Sequence, residues 1–208
     1  DAQRTIALLA FSPDGRMLAA ADDQQIRIYR TTASWRTDAT EYLCQIPFST
    51  EYTLRFSPRG ESLLAGSDSE NGIHFYDPRT GHLINQLPEG DEGVAAISAD
   101  GLWLAATDDN GPIHVFDAAD LSLVYTTEPH VTVQICLAFT PDGKTLLSGS
   151  RDGALRAWDI PTLQPLGILY QSPIPGQFIR SIDFTLDGKS MVAGLSDVPE
   201  PRILVPNY

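Results

Sequence analysis

The sequence predicts an all-β fold made of five copies of one small unit, and three observations support this. A short phrase recurs at residues 11–15 (FSPDG), 56–60 (FSPRG), 97–101 (ISADG), 139–143 (FTPDG) and 184–188 (FTLDG). The copies are 45, 41, 42 and 45 residues apart, and a fixed period in this range marks a repeated unit that packs on its neighbours. Short apolar runs flank every phrase, and no stretch has the period of a long amphipathic helix.

Each phrase is predicted to be the turn between the first and second strands of its unit, because its glycine supplies the positive φ that such a turn needs. The first strands are expected at residues 5–11, 53–56, 94–97, 133–139 and 179–184. The second strands follow at 17–21, 63–66, 102–107, 145–149 and 191–194, and the third at 26–29, 73–76, 113–116, 155–158 and 203–205. Fourth strands are expected at 42–46, 83–87, 123–127 and 166–170.

Four strands in each unit of this length are typical of a β-propeller blade. The predicted blades cover approximately residues 5–46, 53–87, 94–127, 133–170 and 179–206, within a single domain 1–208. The last blade is incomplete, because no fourth strand follows its third.

The fourth copy carries the most specific motif. It contains His130, the turn 139–143, the segment 148–153 (SGSRDG) and the pair Trp158-Asp159. In these residues the chain resembles the WD40 repeat family. The resemblance implies a propeller that most often has seven blades and that presents its surface to other proteins.

The resemblance also implies a structural tetrad in this blade, in which His130, Ser148, Asp152 and Trp158 form a buried row of hydrogen bonds. An imidazole can bridge a carboxylate and a hydroxyl, and a buried indole N–H needs an acceptor. A Ser/His/Asp nucleophilic site is the alternative interpretation. Because the whole set falls within the blade pattern, the structural interpretation is preferred.

Three hypotheses account for the missing blades. The chain is part of a longer protein, or a five-bladed ring is closed by residues upstream, or a partner chain completes the ring. The absence of an initiator Met favours a fragment or a processed chain.

The formal net charge of −13 argues against nucleic acid and anionic membranes as partners, because phosphate contacts need Lys and Arg. Many acidic residues fall in loops expected on one edge of the propeller, which we call the acidic rim: Asp22, Asp23, Asp68, Glu70, Glu89, Asp91, Glu92, Asp108 and Asp109. A surface of one charge sign concentrates the opposite sign, so we expect a protein partner with a basic segment. A solvated face that keeps the chain soluble is the alternative. Trp35, on a long loop of the opposite rim, is a second candidate anchor.

The sequence contains no phosphate loop, HExxH, CxxC or GxSxG motif, so no catalytic residue, metal or cofactor is predicted. His74 and His114 share a repeat position with Arg27 and Arg156, which favours a structural column over a zinc site. The acidic turns at 68–72 and 108–111 lack the spacing of a calcium loop. An enzyme that uses the central channel is a remote alternative, since only Arg55, Gln134 and Asp183 are expected there.

Two separate cysteines, Cys44 and Cys136, favour a reducing compartment and hence a cytoplasmic location. No apolar run approaches the length that spans a membrane. Together these features predict a non-catalytic protein-interaction scaffold that is a subunit or domain of a larger assembly. A ligand-sensing or regulatory domain of a larger signalling protein is the alternative.

Overall fold

The computed structural model describes residues 6–31, 41–50, 52–67, 72–87, 91–108, 111–127, 134–185, 188–196 and 202–204. These residues belong to two compact units, Asp1–Gly93 and Val94–Tyr208. In the part of the chain that is described, all regular secondary structure is β-strand.

The first unit contains two four-stranded antiparallel sheets whose strands follow chain order. Sheet A is formed by β1 (Leu8–Phe11), β2 (Met17–Ala21), β3 (Ile26–Arg30) and β4 (Glu41–Ile46). Sheet B is formed by β5 (Thr53–Phe56), β6 (Leu63–Ser67), β7 (Gly72–Tyr76) and β8 (Leu83–Gln86).

The second unit contains three sheets with the same antiparallel order. Sheet C is formed by β9 (Asp91–Ile97), β10 (Trp103–Asp108), β11 (Ile113–Asp117) and β12 (Leu123–Thr126). Sheet D is formed by β13 (Gln134–Phe139), β14 (Thr145–Ser150), β15 (Ala154–Asp159) and β16 (Gln164–Gln171). Sheet E has three strands, β17 (Ile179–Phe184), β18 (Met191–Leu195) and β19 (Arg202–Leu204). The boundary between the units falls within β9.

The all-β prediction is confirmed, with four four-stranded sheets and a fifth that has three strands among the described residues. Two strands are three residues longer than expected. β9 begins at Asp91 rather than at residue 94, and β16 extends from Gln164 to Gln171 rather than over 166–170. β9 begins with two acidic residues, and the polar ends of β16, Gln164 and Gln171, pair with Asp159 and Ala154 of β15, so an apolar pattern alone does not reveal these ends.

The recurring phrase forms a hydrogen-bonded turn between the first and second strands. In sheet A the Ser12 hydroxyl donates to Asp14 Oδ1 at 2.6 Å and accepts the Met17 N–H at 2.8 Å. The Gly15 N–H donates to the Ser12 carbonyl at 2.8 Å, and Gly15 has a φ of 67°. Sheet D repeats this arrangement, with a Thr140 hydroxyl that donates to Asp142 at 2.6 Å. The phrase therefore recurs for a structural reason, because it closes the hairpin formed by the first and second strands of a sheet.

The core follows from the two-residue period of the strands. In the first unit one cluster joins Ile26 and Ile28 of sheet A to Leu63 of sheet B. In the second unit the two faces of sheet D serve different clusters: Leu146 packs with residues of sheet C, and Leu147 packs with residues of sheet E. Successive residues of a strand point to opposite faces, so one strand supplies both cores.

Glycine permits close packing between sheets D and E. A Cβ added to Gly149 would lie 2.6 Å from Ile179 Cγ2 and 2.7 Å from Cys136 Sγ. The Cys136 thiol is also 3.7 Å from the Ile179 carbonyl oxygen. The repeated small residue at the end of the second strand thus sets how closely the next sheet approaches.

Sheet B lacks one part of the turn, and we expect that restoring it stabilises the protein. Gly60 has a φ of 70° and the Ser62 N–H donates to Ser57 Oγ at 3.0 Å, but Arg59 stands where the other turns have an aspartate. Arg59→Asp should raise the free energy of unfolding by about 1 kcal/mol, because the new carboxylate can accept the Ser57 hydroxyl. Urea denaturation followed by circular dichroism measures the change.

The control is Arg59→Ala, which removes the arginine without adding an acceptor. Equal stability of the Asp and Ala variants would show that the carboxylate adds nothing to this turn.

Candidate functional site

Asp152 lies in the turn between β14 and β15, where four donor atoms from three residues satisfy its carboxylate. Oδ1 accepts the Ser150 hydroxyl and the Ala154 N–H, the latter at 2.9 Å. Oδ2 accepts Arg156 Nη2 at 2.6 Å, and Arg156 Nη1 lies 3.2 Å from Oδ1. The arginine therefore binds the carboxylate with two nitrogens, the arrangement that suits a planar guanidinium.

The surroundings of Asp152 change its acidity. Burial by itself would raise the pKa of this carboxyl, but hydrogen bonds from Arg156, Ser150 and the Ala154 N–H stabilise the charged form more strongly. The pKa of Asp152 consequently falls from 3.8 to about 2.

Asp22 occupies the corresponding turn of sheet A, between β2 and β3. Its Oδ1 accepts the N–H groups of Gln24 and Gln25, each at 3.0 Å, and its Oδ2 accepts Arg27 Nη2 at 2.8 Å. The Asp22 side chain is fully buried. Its carboxylate therefore closes a turn and pairs with its own sheet, which removes it from the surface available to a partner.

The four residues of the expected tetrad are described only in part. Ser148 lies fully buried in β14, and Trp158 is buried near the end of β15 that is farther from the Asp152 turn. His130 lies outside the described residues. The tetrad therefore remains a prediction.

Sequence reasoning missed the partners that Asp152 has in this structure, Ser150 and Arg156. The sequence does contain a signal for the arginine. In two sheets an aspartate in the turn between the second and third strands precedes an arginine by four or five residues, as in Asp152/Arg156 and Asp22/Arg27. On antiparallel strands joined by a tight turn, that spacing places the arginine next to the turn.

The predicted column on the third strands has the same register in all four sheets that contain it. Arg27, His74, His114 and Arg156 pair with Ala20, Ala65, Ala106 and Ser148. His74 Nδ1 lies 3.0 Å from the Tyr76 hydroxyl, and its ring is 4.8 Å from that of Phe48. Among the described residues, no group of three or more His, Cys, Asp or Glu side chains is placed to hold a metal ion.

The acidic rim is described at four further positions. Asp23 is exposed in the β2–β3 turn. Asp91 and Glu92 are the first two residues of β9 rather than loop residues, and Asp108 is the last residue of β10. Asp68, Glu70, Glu89 and Asp109 lie outside the described residues, as does the second candidate anchor, Trp35.

Three further predicted features can be located. Arg55 and Asp183 are exposed on β5 and β17. Cys44 and Cys136 lie on β4 and β13 and are both free thiols. No helix in the described part of the chain has the length and apolar character needed to cross a membrane.

The comparisons with known proteins identify the repeat. The family model "WD domain, G-beta repeat" matches residues 4–30 and 121–159. Two segments of the chain therefore match WD40 repeats. The matched segments include the turn of sheet A and the motif of sheet D on which the resemblance was based.

The chain spans about half or less of the length of the curated relatives that it matches. Mouse "Apoptotic protease-activating factor 1" is 29% identical over 150 residues, which cover 72% of this chain and 11% of that protein. The "tRNA (guanine-N(7)-)-methyltransferase non-catalytic subunit wdr4" of Xenopus laevis is 28% identical over 173 residues, 74% of this chain and 39% of that protein. An uncharacterised WD repeat-containing protein of Synechocystis is 28% identical over 193 residues, 91% of this chain and 53% of that protein.

The Asp152–Arg156 pair predicts a specific loss of stability in acid. Because the pKa of Asp152 is lower in the folded protein than its usual value of 3.8, the charged pair stabilises the fold above about pH 4 and is lost as the pH falls towards 2. Asp152→Asn should therefore be less stable than the wild type by about 1 kcal/mol at neutral pH, a value that allows for solvent screening. That difference should shrink between pH 4 and pH 2, as urea denaturation across this range would measure.

Arg156→Met tests the cause of the lowered pKa. Without the guanidinium the carboxyl should titrate nearer to its usual value, which moves the acid-sensitive range of this variant upwards. If Asp152→Asn keeps a constant stability difference from the wild type down to pH 2, Asp152 is not the group that titrates.

Proposed function

We propose that this WD40 chain is a non-catalytic protein-interaction scaffold whose acidic rim receives a basic segment of a partner protein. The repeats provide a rigid surface, because hydrogen-bonded turns fix the strands of each sheet and the sheets pack on their neighbours through apolar clusters. The partner provides lysine or arginine side chains, and no reaction takes place on the scaffold.

The observation that carries this proposal is the different use of two neighbouring acids in one turn. Asp22 is buried and paired with Arg27, so its charge is already neutralised by the fold. Asp23, the next residue, is exposed. The first acid stabilises the turn, and the second is available to an external cation.

The charge of the whole chain supports the same proposal. With 27 acidic and 14 basic residues, the chain attracts cationic segments over a distance and repels extended polyanions. Nucleic acid and anionic membranes are therefore disfavoured as partners. A cytoplasmic location, where the two thiols stay reduced, belongs to this proposal.

The printed name of one relative agrees with a scaffold role. The Xenopus laevis protein is named as a non-catalytic subunit of a methyltransferase. We extend to this chain the non-catalytic role alone.

The proposal predicts that a lysine-rich peptide binds through the acidic rim. Asp23→Asn, Glu70→Gln and Glu89→Gln combined should weaken the binding of a synthetic lysine-rich peptide by about tenfold, since each exposed charge pair contributes about 0.2–1 kcal/mol. Fluorescence anisotropy at low ionic strength measures the dissociation constant, and added salt should weaken it further.

The control removes the same charge from the opposite ends of the sheets, with Glu61→Gln, Asp120→Asn and Asp183→Asn combined. If both triple variants weaken binding equally, the peptide is attracted by the net charge of the chain and not by a specific site on the acidic rim. A labelled transfer RNA should not bind under these conditions, and tight binding of it would contradict the proposed partner class.

A regulatory domain of a larger protein is the second candidate, and the coverage of the relatives favours it. The match to the mouse apoptotic protease-activating factor occupies 11% of that protein, so a region similar to this chain can be a small part of a larger protein. This candidate predicts that the natural protein has an intact mass well above 22.7 kDa and an effector activity that changes when the WD40 region is deleted. A larger mass with no such change would favour the scaffold.

A further inference from the structure

A cavity in the first unit collects positive charge in a chain that is otherwise strongly acidic. Its volume is about 790 Å³, within the range of ligand pockets. Three arginines line it, Arg16, Arg30 and Arg79, and Asp14 is the one carboxylate among the described lining residues. Three of the 14 basic residues of the chain thus surround one cavity.

Two of the arginines come from sheet A, where backbone pairing fixes their positions. Arg30 ends β3 and pairs with Met17 at the start of β2, directly after Arg16. The next residue, Thr31, donates its N–H to the Arg16 carbonyl at 2.9 Å and its hydroxyl to the Gly15 carbonyl. The first turn of sheet A is therefore tied to the end of β3, and both arginines stand on a rigid base.

The third arginine comes from sheet B. Arg79 lies in the turn between β7 and β8, where its N–H donates to Asp77 Oδ1 at 2.8 Å. This turn packs against β4, because the Pro78 carbonyl lies 3.6 Å from the Cys44 thiol. A Cβ added to Gly81 would lie 3.1 Å from the Gln45 carbonyl oxygen, so the β7–β8 connection lies close to β4. This packing places Arg79 at the same cavity that Arg16 and Arg30 of sheet A line.

The acids at the cavity leave its arginines available. The Asp14 carboxylate already accepts the Ser12 hydroxyl at 2.6 Å and the Arg16 N–H at 3.0 Å. Arg16 Nε lies 3.9 Å from Asp14 Oδ2, but both side chains are more than half exposed, so this ion pair is weak. Arg30 pairs with Glu41 at 2.8 Å, but both side chains are more than half exposed. An ion pair exposed to this degree contributes about 0–1 kcal/mol, so a ligand anion can replace Glu41.

The cavity also has an apolar part. Met17 is buried and Leu43 is half-buried, and both contribute to the lining. Guanidinium groups bind carboxylates with two parallel hydrogen bonds, and the adjacent apolar surface accepts an aliphatic or aromatic group. The lining therefore suits a ligand that combines carboxylates with an apolar side chain.

We propose that this cavity binds a short acidic segment of a partner protein that carries an apolar side chain next to its carboxylates. The net charge of −13 decides against a longer polyanion, because nucleic acid or an anionic membrane would extend beyond the three arginines and meet repulsion from the rest of the chain. The site is distinct from the acidic rim and requires the opposite charge in its ligand.

The test uses the full chain and a fluorescein-labelled peptide of glutamate and leucine. Arg16→Gln and Arg79→Gln should each weaken binding by about fivefold, as expected for the loss of one exposed charge pair. Glu41→Gln should strengthen binding by about threefold, because it frees Arg30 for the peptide. A gain in affinity cannot result from misfolding, so this variant keeps the test decisive even if an arginine variant is unstable.

Two controls separate the cavity from the overall charge. Arg151→Gln removes a positive charge from an exposed turn of the second unit, and Asp183→Asn removes a negative charge from the exposed side of β17 in the same unit. Both should leave the affinity unchanged. Equal effects of the control and cavity variants would overturn the proposal.

Competition identifies the class of ligand. An all-glutamate peptide should compete less well than the peptide with leucine, and inorganic phosphate should compete only weakly. If phosphate competes as well as the peptide, the cavity is a general anion site and the assignment to an acidic protein segment is wrong.

Discussion

The hydrogen-bonded turn between the first and second strands is the constraint on which the rest of this structure depends. A hydroxyl, a carboxylate and a glycine with positive φ close the hairpin, as in Ser12, Asp14 and Gly15. The closed turn sets the pairing register, and a slip of one residue would turn every core side chain to the opposite face. The small and aliphatic residues of the second strand are thereby held in the core, where Leu146 and Leu147 serve two different clusters. A polar turn thus determines an apolar core.

Acidic residues serve two purposes in this chain, and their surroundings distinguish them. Asp22 and Asp152 lie in equivalent turns, accept backbone N–H groups and pair with an arginine of the next strand. The arginine offsets the cost of desolvating the carboxylate, because it binds within the same sheet. Exposed acids such as Asp23 are left to determine the long-range field. The overall charge therefore overstates the number of acids that a partner can reach.

Much of the fold could be predicted from the sequence, because the repeated phrase marks the turn between the first and second strands of each sheet. Strand ends without an apolar signal could not, as at Asp91 in β9 and Gln164 in β16. The Arg156 partner of Asp152 was also missed, since the family pattern directs attention to a histidine instead. The arginine cavity was beyond sequence reasoning for a different reason. Arg79 is 49 residues from Arg30 along the chain, and only the packing of a turn on β4 brings it to the same cavity.

The two proposed surfaces respond differently to ionic strength, and this difference follows from one charge distribution. A basic segment is attracted by the whole chain, so screening reduces both its rate of approach and its affinity. An acidic segment is repelled at long range and attracted only near Arg16, Arg30 and Arg79. Screening weakens the long-range repulsion more than the close contacts, so its association is helped by salt that hinders the basic segment. An acidic chain with a local group of arginines can therefore select short acidic segments while it excludes long polyanions.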